Sequence, residues 1–130
     1  MIIDMKNIDL DLLNDIINVF YNNKGYINNY EKTSYTNPSF TIHKLNCGNV
    51  KMTTKFYYDE DNKNLRVLDI KFTKGNDDEE STIFSCEQIY LLDSYRINIY
   101  NRIIYLFNVA EFNKNVINYG KVLDEITNNI

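Results

Sequence analysis

Residues 95–109 of the chain, YRINIYNRIIYLFNV, carry its clearest periodic signal, because their apolar side chains alternate almost without a break. A period of two is typical of a β-strand. The residues that share one parity are Tyr95, Ile97, Ile99, Ile103, Tyr105, Phe107 and Val109. Only Asn101 interrupts them, and Asn101-Arg102 lies midway, where a hairpin would turn. The sequence therefore predicts a β-hairpin over Tyr95–Val109.

Helical spacing is found at both ends of the chain. A first helix is predicted from about Ile8 to Asn23, and a last one from about Phe112 to Asn128. The first has an apolar face, widened by Leu12 and Ile16, that consists of Leu10, Leu13, Ile17 and Phe20. Gly25 provides the left-handed stop after it. In the last helix Gly120 predicts a close contact or a bend, because glycine costs about 1 kcal/mol there relative to alanine.

Between the helices the pattern changes to strands. Residues 26–37 are polar and rich in tyrosine, and we expect a loop there that can include a short strand. Alternating segments follow at Phe40–Ile42, Val50–Tyr58 and Leu68–Phe72. Residues 82–92 favour a strand, although Ser85 and Gln88 have the spacing of a capping box that could start a short helix. The chain is thus predicted to be a single α+β domain, residues 1–130, in which five or six largely antiparallel strands carry helices on one face.

Composition narrows the class of protein. The chain has 130 residues and a net charge of −4, and it is rich in asparagine (21) and isoleucine (17) but has one alanine. Because asparagine and isoleucine have A/T-rich codons and alanine has G/C-rich ones, this usage suits an A/T-rich genome, such as that of a low-GC bacterium, its phage or a large DNA virus. An acidic total argues against direct nucleic-acid binding, which needs lysine and arginine. With no apolar run of membrane-spanning length and no secretory leader, we expect a cytoplasmic protein with two reduced cysteines, Cys47 and Cys86.

Two small groups of residues could carry chemistry. His43 and Cys47 could form an activated thiolate, but a solvated histidine and a turn cysteine are the preferred interpretation. Asp69 and Lys71 share one strand face after acids at Asp59 and Asp61. An acid followed by Asp-x-Lys resembles the core of the PD-(D/E)xK nucleases, which implies acids that hold Mg²⁺ and a lysine that assists water attack. The Pro-Asp dipeptide of those nucleases is missing, and alternation of polar residues on an outer sheet face is the preferred interpretation of the trio.

Charge and tyrosine content instead favour a protein-binding surface. An acidic partner surface meets a basic one favourably, and tyrosines outside strands are efficient contact residues. The predicted contact residues are Asp77, Asp78, Glu79, Glu80, Asp59, Glu60, Asp61, Asp11, Asp15, Tyr26, Tyr30 and Tyr35. Reversing the charges at 77–80 should weaken binding and its dependence on salt.

The expected function follows by elimination. We expect a module without catalytic residues, metal or cofactor that inhibits or neutralises a macromolecular partner by occluding a basic site. An anti-defence protein of the anti-CRISPR type or a toxin-immunity protein would work in this way. Two alternatives remain: an assembly protein that resembles type III secretion chaperones, which would be a dimer, and the Mg²⁺-dependent nuclease. The sequence leaves the oligomeric state open.

Overall fold

The computed structural model describes residues 5–36, 39–58, 65–75 and 79–128, with the side chains of 5–9 and 65–66 excepted. The elements in chain order are α1 (Met5–Asn22), a 3₁₀ turn (Lys24–Tyr26), β1 (Ile27–Thr36), β2 (Ser39–Cys47), β3 (Val50–Tyr58), β4 (Leu65–Lys74), β5 (Ser81–Tyr90) and α2 (Ser94–Asn128). The strands form one sheet in the order β1-β2-β3-β4-β5, and every neighbouring pair is antiparallel. The predicted α+β class and its order of helix, sheet and helix are confirmed.

Both helices pack on the same face of the sheet. The ring of Phe20 in α1 meets Phe72 of β4 edge-on at 5.4 Å between centroids, and Phe107 of α2 lies 5.8 Å from Phe56 of β3. The apolar face predicted for α1 is confirmed, because its four side chains are at most 3% exposed, whereas Leu12 is 48% exposed and does not widen it. Burial of these large side chains on one face supplies most of the stability of the fold. The remaining buried apolar residues are Ile27, Leu45, Met52, Leu68, Ile70, Cys86, Ile89, Ile99, Ile103, Leu106 and Ala110.

The predicted hairpin at Tyr95–Val109 is wrong, because these residues form the first half of the 35-residue helix α2. Its buried residues Ile99, Ile103, Leu106 and Ala110 recur at spacings of four, three and four, which is a helical period that overlaps the alternation. Asp93 also caps the helix: its carboxylate accepts a hydrogen bond from the Arg96 backbone nitrogen at 2.9 Å.

Residues 27–36, predicted as a loop that can include a short strand, form the ten-residue edge strand β1. Its polar residues fit there because an edge strand is largely exposed. The left-handed stop predicted at Gly25 is wrong, because Gly25 lies in the 3₁₀ turn and the described glycines with positive φ are Gly48 and Gly75. The strand predicted over residues 82–92 is confirmed as β5, Ser81–Tyr90. The sheet therefore has five strands among the described residues, and its fifth comes from β1 rather than from a hairpin in the second half of the chain.

Hydrogen bonds join the two helices and fix α2 against the start of the sheet. The Arg102 guanidinium donates to the side-chain oxygens of Asn14 and Asn18 in α1. The Asn113 amide donates to the backbone oxygens of Lys24 and Ile27, at 3.0 and 2.8 Å. Beyond Asn113 the helix is exposed apart from partial cover at Gly120, so its last four turns project from the packed body.

Candidate interaction surface

The face of the sheet that points away from the helices is open in the part of the chain that the structure describes, and a row of apolar side chains crosses it. One residue from each strand lies opposite the next in the antiparallel register, and together we call them the open-face row: Tyr35, Phe40, Tyr57, Val67 and Tyr90. The Tyr35 and Phe40 rings stack at 4.5 Å between centroids, and Phe40 lies 5.9 Å from Tyr57. The two ends remain accessible, with Tyr35 46% and Tyr90 43% exposed.

The period of the strands explains why this row exists. In β3 the helix-facing residues Met52, Thr54 and Phe56 alternate with Thr53, Lys55 and Tyr57, which therefore face the open side. Aromatic residues suit such a half-buried pleated surface, and cross-strand aromatic neighbours stabilise a sheet by about 0.2–1 kcal/mol per pair. The contacts within the row thus stabilise the sheet, and the row also gives the open face an apolar surface.

Charged groups of both signs lie beside the row. The Lys55 ammonium is 5.7 Å from the Phe40 ring centroid, within range of a cation–π contact. One carboxylate oxygen of Asp69 accepts a hydrogen bond from the Gln88 backbone nitrogen at 2.8 Å. Burial, together with the charge of Asp69 and a hydrogen bond to it, raises the pKa of Tyr57. Next to them is a shallow depression of about 380 Å³, lined by Thr53, Lys55, Asp69, Ile70, Lys71, Thr82, Ser85 and Glu87.

Asp69 and Lys71 do share one side of β4, as the resemblance to the nucleases requires. Asp69 is half-buried and held by the β5 backbone, whereas Lys71 is exposed. Asp59 and Asp61, which would complete the acid set, lie outside the described residues. Among the described side chains, no three of the His, Cys, Asp and Glu residues are grouped so as to hold a metal ion.

The predicted acidic contact residues do not form one patch. Asp11 accepts a hydrogen bond from the Tyr95 hydroxyl at the start of α2, and Glu80 forms an ion pair of 2.6 Å with Lys51. Strand β5 connects the two places, from Ser81 to Tyr90, and at 3.3 Å per residue it spans about 30 Å. Asp15 and Glu79 are exposed, while Asp59, Glu60, Asp61, Asp77 and Asp78 lie outside the described residues.

The three predicted contact tyrosines have different surroundings. Tyr26 is 68% exposed in the 3₁₀ turn, and Tyr35 belongs to the open-face row. Tyr30 is half-buried on the helix side, where its ring stacks on Phe107 at 5.6 Å. Tyr26 and Tyr35 are therefore available for contact, and Tyr30 mainly packs. Phe40, Tyr57 and Val67 have no separate signal in the sequence, since their alternation only indicates strands.

His43 is buried rather than solvated, and it is 6% exposed. Its ring stacks on Phe107 with 4.3 Å between centroids, its Nδ1 lies 2.8 Å from the Tyr30 hydroxyl, and its Nε2 lies 3.3 Å from the Thr41 hydroxyl. A neutral ring that accepts at Nδ1 and donates from Nε2 satisfies both contacts. Burial, and then the charge of Lys32, lowers the pKa of His43 to about 4.

The surroundings of His43 and Cys47 do not allow the histidine to activate the thiol. Both histidine nitrogens are engaged by hydroxyl groups, and the Cys47 sulfur donates weakly to the backbone oxygen of Asn23 at 3.8 Å. Burial raises the pKa of the Cys47 thiol, which disfavours the nucleophilic thiolate. Neither Cys47 nor Cys86 takes part in a disulfide within the described part of the chain.

Compared with models of known protein families, with curated proteins and with solved structures, the chain has no match. None of the described helices combines the length and the apolar character that crossing a membrane requires.

Proposed function

We propose that this chain is a protein-binding module that inhibits or neutralises a larger macromolecule by covering a site on it, as anti-defence and toxin-immunity proteins do. The observation that supports this proposal most directly is the open-face row. A sheet that carries helices on one side presents a preformed, rigid surface on the other, so little ordering entropy is lost on binding.

The chemistry of the row suits a protein partner. Tyrosine and phenylalanine contribute large contact areas at a small conformational cost, and they are enriched at the centres of protein interfaces. Lys55 and Asp69 beside the row, with Lys71 and Glu87 farther out, can form the polar rim that surrounds such a centre.

Charge supplies the second part of the proposal. The net charge of −4, with exposed acids such as Asp15 and Glu79 away from the row, favours encounter with a basic partner. Because Asp11 and Glu80 already have partners within the chain, these two acids have less to gain from an external cation. Electrostatic attraction should therefore accelerate association, while the open-face row provides the contacts that persist.

An assembly protein similar to a secretion chaperone is the second candidate. It is favoured by one observation, the exposed apolar side chains in the second half of α2, such as Phe112 (66% exposed) and Tyr119 (67% exposed). Such a protein would be a dimer, and its binding surface would include these helices rather than the open-face row alone.

The proposal is tested by capturing the partner from the cells in which the gene resides, purifying it, and titrating its activity with this protein. The test variant is Tyr35→Thr/Tyr57→Thr, because threonine keeps the strand propensity and removes the rings. We expect it to bind the purified partner at least about tenfold more weakly than the wild type, in line with the loss of interface aromatics. Reversing Asp77, Asp78 and Glu79 to lysine should weaken binding at low salt and have little effect at high salt.

The matched control is Tyr105→Ala, which removes a 42% exposed tyrosine of α2 that belongs neither to the open-face row nor to the predicted contact residues. It should bind and inhibit like the wild type. Wild-type affinity in Tyr35→Thr/Tyr57→Thr would contradict the open face as the binding surface. Mg²⁺-dependent cleavage of DNA by the purified protein, lost in Asp69→Asn, would instead support the nuclease.

A further inference from the structure

A second apolar surface runs along α2 from Val109, which packs at the edge of the core, into the projecting segment, where the fold does not use it. It consists of a stripe of residues with alternating spacings of three and four, which we call the α2 stripe: Val109, Phe112, Val116, Tyr119, Leu123 and Ile126. Val109 is half-buried, and the other five are between 46% and 67% exposed. Alternating steps of three and four are the a/d pattern of helices that pack against one another.

The stripe faces away from the side on which the first half of α2 is buried. At 100° per residue, Ile99, Ile103, Leu106 and Ala110 cluster on one side of the helix, and the stripe lies on the opposite side. From residue 111 to the end of α2, all five charged residues lie on the half-turn opposite the stripe: Glu111, Lys114, Lys121, Asp124 and Glu125. In the first half of α2 the main apolar side of the helix therefore faces the sheet. Where the helix leaves the sheet, the main apolar side becomes the one that carries the stripe.

The composition of the projecting segment requires a packing partner. Residues 114–128 include a glycine, three asparagines and several β-branched residues, all of them weak helix formers. The packed first half of α2 spares the segment the cost of helix nucleation, but residues of low propensity propagate a helix only marginally in water, so packing is expected to supply much of its stability. A Cβ at Gly120, next to the stripe, would meet no other atom of the described chain within 4 Å. The close contact that a mid-helix glycine suggests is therefore not supplied by the chain itself.

We propose that a second copy of this chain supplies it, with the two α2 stripes packed antiparallel about a two-fold axis. Antiparallel packing centred between Ile117 and Asn118 puts Phe112 of one copy opposite Leu123 of the other, and Val116 opposite Tyr119. Each layer then combines a large side chain with a smaller one, as close packing requires. Parallel packing would instead put Phe112 against Phe112 and Val116 against Val116, which alternates crowded and thin layers.

The area is sufficient for a stable pair. An aromatic side chain buries about 150–250 Å², so half-exposed residues of this size leave on the order of 500 Å² of stripe accessible on each copy. Two stripes then bury on the order of 1,000 Å², which is the lower limit of a specific interface. Antiparallel packing also puts the two sheets at opposite ends of the paired helices, so that both open-face rows stay accessible.

The test is the molar mass in solution, measured by light scattering and by sedimentation equilibrium over a range of concentrations. We expect twice the mass of the 15.4 kDa chain for the wild type and the single-chain mass for Val116→Glu. The matched control is Ile117→Glu, which places the same charge at the adjacent residue with nearly equal exposure, 51% against 53%, but about 130° around the helix from the centre of the stripe. It should keep the doubled mass.

The orientation is tested with two single-cysteine additions, Val116→Cys and Tyr119→Cys, each oxidised alone and in an equal mixture. Antiparallel packing predicts a cross-linked product chiefly in the mixture. Oxidation of the wild type shows how much cross-linking arises from Cys47 and Cys86. A single-chain mass for the wild type at all concentrations, or a doubled mass for Val116→Glu, would overturn the pairing. Efficient cross-linking of each variant with itself would overturn the antiparallel arrangement. None of these measurements depends on the open-face row, so this inference and the proposed function fail independently.

Discussion

Replacing Phe107 with alanine is expected to lower the free energy of unfolding by about 3–5 kcal/mol. The ring is 4% exposed and contacts rings from three strands: it lies 4.3 Å from His43, 5.6 Å from Tyr30 and 5.8 Å from Phe56. Alanine would remove these contacts and leave a cavity that the surrounding rings cannot fill completely. Urea denaturation measures the effect.

Phe112→Ala is the matched control, since it makes the same change five residues later on the same helix. Its ring is 66% exposed, so in a single chain the cost should stay within about 0.5 kcal/mol. Both substitutions are best made in the Val116→Glu background, in which the proposed pairing of α2 stripes is absent. Similar losses of stability for the two variants would show that Phe107 is not the central ring of the core.

Acidification is expected to destabilise the protein through His43 by about 2–3 kcal/mol between pH 6.5 and pH 4. Burial, and then the charge of Lys32, lowers the pKa of His43 in the folded chain to about 4 from a usual value of 6.5. Below pH 6.5 the unfolded chain therefore binds a proton that the folded chain does not bind. The contribution is fully present above pH 6.5 and is lost as the pH falls toward about 4.

Two measurements isolate this contribution from that of the carboxylates. His43 is the single histidine of the chain, so the NMR titration of its ring protons gives its pKa directly. The free energy of unfolding of the wild type and of His43→Gln, compared at several pH values, gives the energetic effect, because glutamine does not titrate. A folded-state pKa near 6.5, or the same pH dependence in both proteins, would refute the prediction.

The parts of the fold that the sequence predicts well are those where one period dominates. Leu13, Ile17 and Phe20 repeat only as a helix, and Met52, Thr54 and Phe56 repeat only as a strand, so α1 and β3 follow from spacing alone. In residues 95–109 two periods coexist, because Ile99 and Ile103 belong both to the buried helical face, which continues at Leu106, and to the alternating series of apolar residues at odd-numbered positions. The strand propensity of these residues favoured the period of two, which was wrong. The helix cap at Asp93 was the local signal that could have decided for the helical period.

The candidate site was predicted less well than the fold, for a different reason. The open-face row depends on which residues of five strands lie side by side, and register is set by turns and by long-range packing. Tyr35 and Tyr57 are 22 positions apart in the sequence, yet both contact Phe40. Burial of His43 was missed for the same reason, because the residues that cover it, Phe107 and Tyr30, come from distant segments.

The strand order has a kinetic consequence. Each strand pairs with its neighbour in sequence, so every hairpin closes a short loop, whereas the Arg102 contact with Asn14 joins residues 88 positions apart. The connections between strands are two to six residues long, and closing a loop about fifteen times longer than the longest of them costs roughly 2–3 kcal/mol more chain entropy. We therefore expect the sheet to assemble early and the two ends of the chain to meet late on the folding pathway, so that removing the Arg102 side chain accelerates unfolding more than it slows refolding. If removing the side chain slowed refolding more than it accelerated unfolding, the contact between the two helices would already be formed in the folding nucleus.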